Sequence, residues 1–181
     1  KMLRIFETHK DVAAVTARME DAQYGTQKNG WPLRGFWGEL FSMGPVSRRL
    51  LRPFLEYPDR RFQGKKAVYT DAVHGSLFMV DGKKFLDCGG YDEGIFLFQE
   101  EAVLAQRFRK AGYRSVLLLN CHYRHEHSVS ISKSFQGELE RQRLREKSVL
   151  YYMKNYLSAG VWKIRVAKCW FWGIRRFGQS G

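Results

Sequence analysis

Between Ala67 and His125 short apolar runs alternate with helical segments that stop at glycine, and this alternation restricts the chain to an α/β architecture. Ala67-Val-Tyr-Thr and Gly75 to Val80 read as strands. Lys83 to Cys88 reads as a short helix halted by the pair Gly89-Gly90. A second helix spans Glu100 to Ala111 and ends at Gly112; Ser115-Val-Leu-Leu-Leu then reads as a buried strand, with His125 near its end. Upstream, Met2, Leu3, Ile5 and Phe6 suit the last turns of a helix, and Val12-Ala-Ala-Val-Thr-Ala a buried strand.

From Gln23 to Gln63 the pattern turns irregular, punctuated by Gly and Pro with Trp31, Phe36, Trp37 and Phe41 between. The expectation is a long loop lining a binding site, with one helical piece near Val46 to Leu55. Trp31 and Trp37 could stack on a ligand or simply pack. Two further helices are expected, from Phe135 to about Leu157 and from Val161 to Phe177.

Helical spacing places residues 97, 101, 104, 108 and 111 on one face, reading Leu, Glu, Leu, Phe, Ala. Glu101 therefore lies on an apolar stripe. A carboxylate facing a core is costly unless it is paired or chemically used. The plainer alternative is that Glu100 and Glu101 occupy a first helical turn, where acids favour the helix dipole.

Charge is unevenly spread. The formal net charge is +13, and residues 135–181 hold 10 Lys/Arg against 3 Asp/Glu. A basic, aromatic tail suits an anionic surface. In the last helix Val161, Ile164, Ala167, Cys169, Trp170, Phe171, Trp172, Ile174 and Phe177 alternate with Lys163, Arg165, Lys168, Arg175 and Arg176, as in helices that lie in the interfacial zone of an anionic bilayer. The alternative is a helix packed on the body with a solvated basic face. No nucleic-acid motif is present, so nucleic acid is not an expected partner. Cys88, Cys121 and Cys169 show neither disulfide nor metal spacing, which suits a reducing, cytoplasmic compartment. No apolar run reaches the length of a membrane span.

The ordered segments Asp71-Ala-Val-His-Gly-Ser-Leu-Phe-Met-Val, Phe85-Leu-Asp-Cys-Gly-Gly-Tyr-Asp-Glu, Phe98-Gln-Glu-Glu and Arg107-Phe-Arg-Lys-Ala-Gly-Tyr-Arg, then His125 and Ser130, resemble the family 2 glycosyltransferases of the GT-A fold. The resemblance covers about residues 1–132 and implies a partial GT-A domain, Rossmann-like with a mixed sheet and flanking helices. Residues 133–181 would follow as a basic helical tail. It implies inverting transfer from a nucleotide-sugar donor to the hydroxyl of a glycan or lipid-linked acceptor, in surface polysaccharide or glycolipid synthesis. The enzyme would be cytoplasmic, peripheral on the inner face of the cell membrane.

The family's acidic pair falls on Glu100 and Glu101, with the base at Glu101; its C-terminal His, near a divalent Mg or Mn ion, falls on His125. Gly75 and Ser76 would let substrate approach the backbone, or serve strand packing; Asp92 would anchor the loop or touch the acceptor. Two departures stand out. Glu replaces the usual Asp at the base, and Val103 stands where a further Asp is usual. The family's nucleotide-binding strand and Asp-x-Asp metal motif have no counterpart in these 181 residues. The expectation is a fragment with little transferase activity alone, or a degenerate, non-catalytic relic.

Overall fold

The computed structural model describes residues 1–21, 25–27, 29–125 and 137–177; Ser130 lies outside them. Its centre is a mixed sheet in the order β2-β1-β7-β4, formed by β1 (Val12–Asp21), β2 (Gly25–Gln27), β4 (Ala67–Thr70) and β7 (Arg114–His125). β1 and β7 run parallel; β2 pairs antiparallel with β1, and β4 antiparallel with β7. Val12, Ala13, Ala14 and Val15 are all essentially inaccessible, so the near-continuous apolar run reflects a strand covered on both faces.

The β1–β7 ladder shifts register between Ala17 and Arg18. Asn29 fills that irregularity: its amide donates to the Ala17 carbonyl (2.7 Å) and its Oδ1 accepts from the Met19 N–H (3.2 Å). The backbone groups orphaned by the shift are thereby satisfied.

Helix α1 (Met2–Thr8) covers one face, packing Met2, Ile5 and Phe6 on Val12, Val15, Val116 and Leu118. The opposite face is covered by α6 (Glu100–Lys110), whose Leu104 and Phe108 pack on Ala13, Ala14 and Val73. Helix α5 (Gly82–Asp87) starts at Asp81, whose side chain accepts from the Lys84 N–H. It ends at Gly89 and Gly90, both at positive φ (84° and 60°), where a side chain would strain the turn.

The segment expected to be mostly loop is more helical than its punctuation suggests. β3 (Gly30–Trp31), which pairs antiparallel with the later β5 (Ala72–Val73), precedes α2 (Phe36–Ser42), α3 (Pro45–Leu50) and α4 (Arg52–Leu55). Pro45 and Pro53 sit in first helical turns, where a missing N–H costs nothing, so these prolines start helices rather than break them. Phe36, Leu40 and Met43 recur at helical spacing and are buried.

Gly75 to Val80 is also corrected. Only Met79–Val80 (β6) pairs with β1; Gly75 and Ser76 form a turn. Local polar contacts win over the ladder here: the Ser76 N–H donates to His74 Nδ1 (3.1 Å), and the Thr16 hydroxyl donates to the Leu77 carbonyl (2.6 Å).

The C-terminal segment folds as α7 (Glu138–Asn155) and α8 (Val161–Phe177). Val149 and Met153 of α7 and Ala167 and Phe171 of α8 form a core with Phe36, Leu40 and Met43 of α2. Tyr152 joins Ile95, Ala102 and Val103 in another. Both helices thus pack on the α/β body, each buried large side chain contributing about 1.5–3 kcal/mol. Among the described residues no helix is long and apolar enough to cross a membrane.

Candidate functional site

Glu101 stands in the first turn of α6, on the stripe that also carries the buried Leu104 and Phe108. Its Oε1 accepts the Gly75 N–H at 3.0 Å. Burial raises its pKa, an effect opposed by backbone hydrogen bonds from its own amide and from Gly75. Gly75 is required for this approach, because a Cβ there would meet Glu101 Oε1 at 2.8 Å. Ahead of the helix, Phe98 and Gln99 both hold left-handed backbone (φ 66° and 71°), each costing about 1–3 kcal/mol. The distortion aims the helix start at the turn containing Gly75.

Around that turn lies a polar chain. The Ser76 hydroxyl contacts His74 Nδ1 at 2.9 Å and the Tyr123 hydroxyl at 2.5 Å. Because Nδ1 accepts the Ser76 N–H, a neutral His74 carries its proton on Nε2. β7 ends at His125, whose ring centroid is 6.1 Å from that of His74; Trp31 packs edge-on to His74 at 6.4 Å. The fold therefore gathers Glu101, Gly75, Ser76, Trp31 and His125 around His74.

Glu101, His74 and Trp31 line a cavity of about 620 Å³. It is also lined by Arg34, Arg48, Arg52 and Arg145, with Glu39 and Glu56 among them. Glu39 is buried, 3.8 Å from Arg34 and within 3.4 Å of the Gln99 amide; burial raises its pKa, and Arg34 and Gln99 oppose that. Glu56 lies 3.0 Å from Arg52 and 3.7 Å from Arg48.

Asp92 is placed as an anchor. It accepts from the hydroxyls of Tyr156 (2.5 Å) and Tyr151 (3.1 Å) and from the Gly94 N–H (2.9 Å), with Arg107 at 3.7 Å. Burial raises its pKa, but these three hydrogen bonds and the Arg107 charge outweigh it, and the net shift is downward. Arg107 in turn donates to the Gly89 and Gly90 carbonyls. Ser148 donates to the Leu97 carbonyl at 2.6 Å. Helix α7 thus clamps the whole loop that leads into Glu101, a role that a charge-dense helix pattern does not announce.

Two expected site residues fall elsewhere or stand apart. Trp37 is about half exposed and packs between Phe41 and Trp162, outside the cavity lining. Glu100 is also outside that lining; one of its oxygens is buried without a hydrogen-bond partner among the described residues, and burial, then the Glu101 charge, raises its pKa. Val103 is buried against Tyr152, so that position is core. Among the described residues no three His, Cys, Asp or Glu side chains converge closely enough to hold a metal ion. The arginine wall and His74 were not singled out by sequence; apart from the position of His74 before Gly75, nothing local marks them.

In comparisons with known proteins, no family model matches the chain and no curated protein matches it.

Proposed function

We propose that this chain supplies the acceptor side and the catalytic base of an inverting glycosyltransferase of the family 2, GT-A type, acting on a nucleotide-sugar donor. The observation that carries the reading is Glu101: a carboxylate with raised pKa, on a cavity wall, fixed by a glycine that alone leaves room for it. A raised pKa brings a carboxylate nearer to neutral pH, which suits a general base. Glu101 takes the proton of the acceptor hydroxyl as that oxygen bonds to the anomeric carbon. The bond from that carbon to the diphosphate oxygen breaks on the opposite face, and the configuration inverts.

Trp31 lines the same cavity, and Gly75, bonded to Glu101, and Ser76, bonded to His74, stand next to that lining. No step is routed through a divalent cation. The test is transfer from labelled nucleotide sugars by the protein as the cell makes it, wild type against Glu101→Gln. Loss of about 10²-fold or more in kcat is expected. Wild-type turnover by the Gln variant would sink the assignment.

A second reading, a non-catalytic relic of a transferase, is favoured by Val103, which is buried as core. It expects no transfer from any donor. In either case α8 offers a surface for an anionic membrane. Its outward face carries Val161, Trp162 and Trp172, all more than half exposed, beside the exposed Arg165, Lys168 and Arg176. Indoles and cations on one face suit the headgroup region of a bilayer, and such docking would bring the cavity to a lipid-linked acceptor at the inner membrane face.

A further inference from the structure

Four guanidinium groups from three parts of the chain meet at one wall of the cavity. Arg34 precedes α2, Arg48 and Arg52 come from α3 and α4, and Arg145 from α7. Glu39 answers Arg34, and Glu56 answers Arg52 and Arg48. Arg145 has no such answer: among the described residues no carboxylate lies within ion-pair distance of it. Arg145 is solvent-exposed and lines the cavity. Partial loss of hydration, then the charges of Arg48 and Arg34, holds its pKa below the usual arginine range, with only Glu39 opposing. Like charges held together at a cavity wall leave a potential that an anion relieves.

The remaining geometry narrows the class of anion. The same cavity presents Glu101, His74 and Trp31, so a ligand that fills it meets a carboxylate and an aromatic ring as well as the guanidinium groups. Planar guanidinium forks match phosphate oxygens in pairs. A volume near 620 Å³ is room for a sugar and a phosphate together. Val46 and Leu50 of α3 and Phe54 of α4 are 70, 74 and 84 % exposed and lie outside the cavity lining.

We infer that the arginine wall is an anion subsite that holds a phosphate or diphosphate group, with Arg145 as its principal unmatched cation. As the anchor of a phosphorylated acceptor it rests on the transferase reading above; anion binding itself does not. The group can arrive on a soluble sugar or on a prenyl chain that lies along Val46, Leu50 and Phe54.

The experiment is calorimetric titration of the full chain with inorganic pyrophosphate, in chelator and without any nucleotide sugar, so its result is independent of transfer. Saturable binding is expected, weakened about tenfold or more by Arg145→Gln and by Arg48→Gln, which remove charge-assisted hydrogen bonds. Lys147→Gln, an exposed cation on the same helix outside the cavity, makes the same charge change and should leave affinity within about twofold. Circular dichroism checks that each variant is folded, and Arg48→Gln serves if Arg145→Gln is not. Absence of pyrophosphate binding, or equal weakening by Lys147→Gln, would overturn the subsite. Geranyl diphosphate distinguishes the sources: tighter binding than pyrophosphate, lost in Leu50→Ser/Phe54→Ser, supports the subsite with a lipid-borne diphosphate. Equal binding of the two supports it with a soluble one.

Discussion

Replacing Gly75 with Ala tests the central contact directly. The new methyl would sit 2.8 Å from Glu101 Oε1, where ordinary contact begins at 3.4 Å. Gly75 is not among the residues at positive φ, so Ala itself meets no backbone strain, and it gains about 0.4–1 kcal/mol from a less flexible unfolded chain. Against that, the carboxylate, at the end of a flexible side chain, must shift and weaken the 3.0 Å bond from the Gly75 N–H. A hydrogen bond to a charged group contributes about 1.5–3 kcal/mol, so a net loss of about 1–2 kcal/mol is expected at neutral pH.

The pH dependence carries a sign. Burial already raises the Glu101 pKa and the Gly75 bond opposes this, so the Ala variant should raise it further. A carboxyl whose folded pKa lies above its unfolded value stabilises the fold most when protonated. Stability then falls as pH rises from the unfolded to the folded pKa. Wild type and variant should therefore nearly coincide in acid and separate as pH climbs through the folded pKa. Urea unfolding across pH measures the separation, and ¹³C NMR titration of the side-chain carboxyl, assigned with Glu101→Gln, measures the shift. A constant difference across pH, or a Glu101 that titrates at or below its wild-type position, would refute the reasoning.

Asp92→Asn should cost about 1–3 kcal/mol at neutral pH, through weaker bonds from Tyr156, Tyr151 and Gly94. A lowered carboxyl pKa contributes stability above the unfolded pKa that is lost as pH falls through the folded one, so the variant should also lose part of the acid-induced fall; an unchanged acid limb in urea titrations argues against the anchor. Trp162→Ser/Trp172→Ser should reduce co-sedimentation with phosphatidylglycerol vesicles while leaving the urea midpoint nearly unchanged, since both rings are more than half exposed. Equal recovery with neutral and anionic vesicles would leave α8 as a packing element alone.

Much of the scaffold is written locally. The run Val12 to Ala17 and the run Ser115 to Leu119 are continuous and apolar because each lies in a sheet covered on both faces. Helix α6 shows its apolar stripe and its glycine stop, and α8 its alternation of rings and cations, so both are legible residue by residue. Even the inward placement of Glu101 follows from helical spacing.

Other features depend on partners distant in the chain. The sequence suggests a strand at Gly75, but Thr16 and His74 turn it, and that turn brings the Gly75 N–H to Glu101. Trp37 and Trp31 look equivalent in sequence, yet α8 takes one for the surface and the cavity keeps the other. Arg145 lies about a hundred residues beyond Arg48, and neither differs locally from the arginines that surround it. Periodicity and glycine placement are properties of neighbouring residues, so they alone determined the elements and the stripe bearing Glu101. Which charges face one another, and which loop α7 clamps, depends on contacts between segments, and those only the packed fold decides.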